Sequence, residues 1–161
     1  MTTTTETYTI AVIGAGGKMG MRVSNNLANT THDVHYVENS PAGRQRTLDA
    51  GRTLTDAAPA VADADIVVLA VPDLALGPVS AELVPLMKPG SVVLTLDPAA
   101  AYAGLLTTRE DVVQAVAHPC HPSVFLQREP PEQWADPFGG IAAPQDAIAA
   151  VESDDPAVQT L

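Results

Sequence analysis

Four short apolar runs, rich in β-branched residues and each closed by a turn residue, punctuate the first hundred positions. They are Tyr8–Ile13 (Y-T-I-A-V-I), Val34–Val37 (V-H-Y-V), Ile66–Ala70 (I-V-V-L-A) and Ser91–Leu96 (S-V-V-L-T-L), and that pattern predicts buried strands. A fifth run, Val112–Ala117 (V-V-Q-A-V-A), leads straight into a histidine-containing loop, and Thr53–Thr55 offers a shorter strand. Helical stretches lie between them at Lys18–Asn29, Pro41–Ala50, Asp56–Ala62 and Asp73–Met87. The second opens S-P-A-G-R, with Ser40 placed to cap and Pro41 at the first helical position. The fourth contains Pro78 and Pro85, which predict a kink or break. Strands that alternate with helices and are apolar throughout predict an α/β fold, a Rossmann-type doubly wound parallel sheet with helices on both faces.

Beyond His118 the pattern changes. Prolines at 119, 122, 130, 131 and 137, with charges and Trp134 among them, predict a long ordered loop before F-G-G-I-A-A resumes an apolar run. At the end, D-D-P-A-V-Q-T-L sets Asp155 as N-cap and Pro156 in the first turn of a helix that stops within its second turn. The reading is therefore a flexible tail at 1–7, a dinucleotide-binding domain at 8–150, and at 151–161 the start of a helical connection to a second domain that is missing.

Composition narrows the picture. The 161 residues are 46% apolar and 17% charged, a globular rather than a disordered balance. No apolar run approaches the ~20 residues of a membrane span, and the start M-T-T-T-T-E-T has no basic or apolar leader region. One cysteine, Cys120, excludes an internal disulfide and fits a reducing cytoplasm. The net charge of −11 excludes nucleic acid and anionic membrane as partners. With only Lys18 and Lys88 against twelve aspartates, the surface is similar to those of salt-adapted proteins.

Directly after the first strand comes G-A-G-G-K-M-G, Gly14 to Gly20. The strict G-x-G-x-x-G fingerprint fails, because Met19 takes its third glycine slot. Counting Gly14, Gly17 and Gly20 with Gly16 extra still supplies a sharp turn, a close approach for a pyrophosphate, and tight helix–strand packing. Lys18 and Met19 begin the helix whose N-terminus would face the phosphates. Glu38 ends the second strand, 21 residues after Gly17. A carboxylate there can accept from the adenosine ribose hydroxyls and repel a 2′-phosphate, which favours NAD over NADP. Arg44 and Arg46 stand near enough to weaken that preference. A solvated strand end is the plainer reading of Glu38. The third long strand closes with A-V-P-D, where Val71, Pro72 and Asp73 would border the nicotinamide-side ribose, or form a plain turn capped by Asp73.

These landmarks, together with L-D-P-A-A-A-Y-A-G (Leu96–Gly104), A-H-P-C-H-P and F-G-G-I-A-A, resemble the N-terminal part of D-apionate oxidoisomerase-like proteins. That group is similar to the phosphogluconate and β-hydroxyacid dehydrogenases. The resemblance runs from about Thr9 to Ala143, and Pro98 departs from the family's L-D-A-A-A. It implies an NAD-dependent oxidoreductase acting on a small sugar acid, with hydroxyl oxidation coupled to carbon migration. It also implies a mostly helical C-terminal domain that closes the site and mediates a homodimer. A chain without that domain is expected to be inactive alone. A β-hydroxyacid or prephenate-type dehydrogenase and a non-catalytic dinucleotide-sensing domain are the alternatives.

On such a fold the octapeptide A-H-P-C-H-P-S-V lies on the cofactor edge. His118, at a strand tip, suits the removal of a hydroxyl proton near neutral pH, with His121 as a second catalytic candidate. Metal binding competes: a divalent ion on His118, or on His118 and His121 with a carboxylate from elsewhere, would polarise the oxygens of a hydroxy-keto acid. A rigid loop whose histidines satisfy backbone groups is the third reading. Cys120 has no cation nearby to activate it and reads as a packed residue. His32 and His35 read as surface or satisfied edge residues, and Trp134 as a loop anchor. Asp97 is placed to contact the nicotinamide ribose or substrate, or to begin a turn.

Overall fold

The computed structural model describes residues 6–120, 132 and 146–153. Its strands are β1 (Thr9–Ile13), β2 (Asp33–Val37), β3 (Ile66–Leu69), β4 (Val92–Thr95), β5 (Val113–Pro119) and β6 (Ala147–Val151). The helices are α1 (Lys18–Leu27), α2 (Pro41–Asp49), α3 (Ala57–Asp63), α4 (Asp73–Leu83) and the single turn α5 (Ala99–Tyr102). The sheet order is β2-β1-β3-β4-β5-β6, parallel except for the antiparallel β5–β6 pair. Leu54 adds an isolated parallel bridge to Tyr36 outside β2, so the short strand read at Thr53–Thr55 reduces to a single bridge. The chain thus winds outward from β1 to β2, returns to β3 on the other side of β1, and leaves a crevice where the order reverses.

Alternation along the strands divides the core between two faces, since successive side chains point to opposite sides of a sheet. Ala11, Ile13, Val67, Leu69 and Val93 lie in one cluster with Ala60 and Val61 of α3 and Leu76 and Leu83 of α4. Ile10, Val12 and Val68 lie in the other, where Val23 and Leu27 of α1 pack. Both faces are therefore covered, and this is why β1 and β3 read as unbroken apolar runs.

Ser40 accepts from the Gly43 amide at 3.1 Å and Pro41 opens α2, as its sequence predicts. Pro78 does not break α4. The helix runs through it to Leu83, and the change comes at Pro85, within a 3₁₀ turn at Val84–Leu86. Asp73 is the first residue of α4 rather than its cap, a position taken by Pro72. β5 continues past Ala117 through His118 and Pro119, because β6 pairs along it with His118 opposite Ile148. Val151, expected to open a helical connection, is the last residue of β6. The readings at Trp134, F-G-G-I-A-A and Asp155–Pro156 lie outside the described residues. No described helix is long and apolar enough to cross a membrane.

Candidate active site

Parallel register brings the site's parts to one edge. Ile13 is level with Val37 and with Leu69, Leu69 with Thr95, and Thr95 with Val116. The residues just beyond those positions, namely Gly14, Glu38, Ala70, Leu96 and Ala117, therefore share the carboxyl edge. Two steps past the last register pair, Asp97 and His118 come level.

Gly14 has φ +81°, a left-handed backbone that lets the chain turn sharply out of β1. Its amide and that of Ala15 both donate to the Val37 carbonyl, at 2.9 and 3.0 Å. A Cβ on Gly20 would lie 1.9 Å from the Gly14 carbonyl oxygen, so only glycine lets α1 seat against the turn. Gly17 caps α1 in extended conformation and its amide donates to Gly14 O at 2.9 Å. The first-turn amides and the positive dipole end of α1 then point out of the helix, the arrangement that receives phosphate.

Glu38 takes a place that sequence alone does not reveal. It is only 8% exposed; its Oε2 accepts from the Gly16 amide at 3.0 Å, and its Oε1 accepts from the Ser40 amide at 2.8 Å and the Ser40 hydroxyl at 2.9 Å. Burial raises its pKa, yet the hydrogen bonds from Ser40, Gly16 and Asn39 outweigh that and hold it below the ordinary 4.5. Arg46 Nε donates to the Gly16 carbonyl at 2.8 Å, and Arg44 Nη1 to the Glu38 carbonyl at 3.1 Å. Gly16 is thus gripped at both its N–H and its C=O by the β2–α2 segment. Both arginines, read as a weakening of the preference for NAD, hold backbone oxygens.

A cavity of about 410 Å³ opens beside the glycine turn. Gly17, Lys18 and Met19 line it from one side, Val71, Pro72 and Asp73 from another, and Asp97, His118 and Pro119 from the third. Gly14, Gly16, Gly20 and Glu38 do not line it; they fix the turn behind it. The imidazole of His118 has Nδ1 3.1 Å from the Leu96 carbonyl and 3.8 Å from Asp97 Oδ2. A carbonyl can only accept, so the short contact requires the proton on Nδ1 and leaves Nε2 with the lone pair. His121 lies outside the described residues. Cys120 is a half-buried free thiol whose amide donates to Asp146 O at 2.8 Å. His32 lies away from this edge, and its Nδ1 accepts from the Tyr8 amide at 3.2 Å. Among the described residues no group of three or more His, Cys, Asp or Glu side chains is arranged to hold a metal ion.

The sheet order, the glycine turn into α1 and a cavity at the order reversal define a Rossmann-type dinucleotide-binding domain. The profile of the NAD binding domain of 6-phosphogluconate dehydrogenase matches residues 9–104, and the chain belongs to that family. It is 55% identical over 148 residues to the D-apionate oxidoisomerase of Pectobacterium atrosepticum, covering 92% of this chain and 52% of the relative. To the D-apionate oxidoisomerase of Blautia hydrogenotrophica it is 49% identical, covering 86% of this chain and 49% of the relative. The chain therefore spans about half the length of these curated relatives. A solved structure from Cupriavidus necator, described as a semialdehyde dehydrogenase NAD-binding protein in complex with calcium and NAD, superposes with TM-score 0.85. It is 40% identical, and the match covers 96% of this chain and 56% of that one.

Proposed function

We propose that this chain is the cofactor-binding part of an NAD-dependent oxidoreductase acting on a sugar acid, of the D-apionate oxidoisomerase kind, in which hydroxyl oxidation is coupled to carbon migration. The observation that carries this reading is the single cavity shared by the α1 turn (Gly17, Lys18, Met19) and His118. The Gly20 position, which a methyl would fill, fits the family's close helix–strand packing. Gly17, Lys18 and Met19 would hold the pyrophosphate, and Val71, Pro72 and Asp73 would border the nicotinamide half. NAD held there would supply the acceptor for the hydride of the substrate's carbinol carbon. The chain's own part is to take the hydroxyl proton at Nε2 of His118 and to orient the substrate beside Asp97. The ionised Glu38 disfavours a 2′-phosphate near the end of β2, so NAD is the preferred nucleotide.

Fluorescence titration of this chain should show NADH bound about tenfold or more tightly than NADPH. Binding of neither nucleotide would remove the cofactor assignment. In the gene product at its full length, His118→Ala should lower kcat by about 10² to 10⁴ while leaving NADH affinity unchanged. Unaltered turnover would reduce His118 to a structural residue.

A further inference from the structure

We infer that Asp97 is a positioning residue for His118: with the Leu96 carbonyl it fixes the proton on Nδ1, so that Nε2 presents its lone pair to the cavity. The inference rests on His118 being the proton acceptor proposed above, and it adds the group that makes the imidazole competent before substrate arrives.

Three observations converge on it. Asp97, two residues past β4, and His118 in β5 are 21 residues apart in sequence, and the β4–β5 register, with Thr95 level with Val116, brings them side by side. The two carboxylate oxygens have separate partners. Oδ1 accepts from the Ala99 amide at 2.8 Å and so begins α5, while Oδ2 faces His118 Nδ1 at 3.8 Å. Both side chains line the cavity and are only part-exposed, 45% for His118 and 37% for Asp97, so solvent screens the pair incompletely.

The chemistry follows from the tautomer. A neutral imidazole carries one N–H, and placing it on Nδ1 satisfies the Leu96 oxygen at 3.1 Å with the Asp97 carboxylate 3.8 Å from the same nitrogen. When Nε2 takes the hydroxyl proton, the ring becomes a cation with the carboxylate already beside it. The opposite tautomer would set the Nδ1 lone pair against both the Leu96 oxygen and the carboxylate, and would leave Nε2 unable to accept.

The two roles of Asp97 can be separated by one substitution. Asp97→Asn keeps an Oδ1 acceptor for the Ala99 amide, hence the turn into α5, but replaces the charged Oδ2 with an uncharged amide nitrogen. The readout is ¹⁵N NMR of histidine-labelled chain at a pH where the ring is neutral, with thermal melting as the control for folding. The wild-type chain should show the Nδ1–H form of His118. In Asp97→Asn the tautomer ratio should move by about tenfold toward Nε2–H, with the melting temperature unchanged. Should Asn lower the melting temperature, Asp97→Glu serves as the second variant, because its carboxylate should restore the Nδ1–H signal. A wild-type His118 in the Nε2–H form, or an Asn variant that keeps the wild-type ratio, would overturn the role given to Asp97. The cofactor reading fails separately: added NADH would then leave the Gly17 and Met19 amide signals unmoved, whatever the tautomer.

Discussion

Gly20 shows how much one hydrogen atom controls here. A methyl in its place would lie 1.9 Å from the Gly14 carbonyl oxygen, which is backbone and cannot swing aside. Gly20→Ala should therefore push α1 off β1 and destabilise the chain by about 2–4 kcal/mol, read as a lower denaturant midpoint together with weaker NADH binding. Unchanged stability would mean that α1 has room the packing does not show. Glu38 makes a second demand at this scale, through pH. Its folded-state pKa is held below the ordinary 4.5 by the Ser40 and Gly16 hydrogen bonds despite burial. A carboxyl depressed in this way contributes stability that is complete above its unfolded pKa and is lost as pH falls through the folded one. Glu38→Gln should accordingly lower the melting temperature at pH 7 and flatten its decline below about pH 4.5. Parallel acid limbs in variant and wild type would show that Glu38 is not the group that titrates.

The elements meet at two edges of the sheet, which are held differently. On the carboxyl edge the glycine turn, the end of β3 and the tip of β5 leave the cavity open. On the opposite edge Asp65 ties three strands together: its Oδ2 accepts from the Thr9 amide of β1 at 2.8 Å, and its Oδ1 meets Lys88 Nζ, ahead of β4, at 2.6 Å. Lys88 also donates to the Asp63 carbonyl at 2.9 Å, closing the end of α3. Burial raises the Asp65 pKa, and the Lys88 and Thr9 bonds bring it below the ordinary 3.8. Asp65→Ala should cost about 1–2 kcal/mol through the orphaned Thr9 amide and the lost Lys88 partner, without altering nucleotide affinity, since none of the described residues on that edge lines the cavity. A variant that loses NADH binding while keeping its fold would join the two edges. Strands β1–β5 and helices α1–α4 were legible from the apolar runs and turn residues to within a few positions, and the single turn α5 was not. The break read for the fourth helical stretch comes at Pro85, whereas the helix continues through Pro78, where Leu76, Ser80 and Leu83 lie on the buried side of α4. β6 went unread because A-I-A-A-V is equally good as helix or strand, and only pairing with β5 decides between them.

For the molecule as a whole the governing quantity is charge. A net charge of −11 on 161 residues, with two lysines, repels itself in dilute buffer. We expect the melting temperature to rise by about 5 °C or more from low to molar salt, as added ions shorten the reach of that repulsion; a flat profile would mark an ordinary acidic protein.

What the sequence determined alone was whatever depends on near neighbours in the chain. This covers the strand and helix runs, the Ser40 cap and the glycine turn that suits a dinucleotide, because apolar period, capping and backbone freedom act within a few residues. What the tertiary structure decided was whatever depends on register between distant strands. Glu38 turned out to grip the Gly16 amide, Arg46 to hold the Gly16 carbonyl, and Asp97 to stand beside His118. A carboxylate finds such partners through the sheet, whose parallel pairing converts residues far apart in the chain into neighbours 3–4 Å apart.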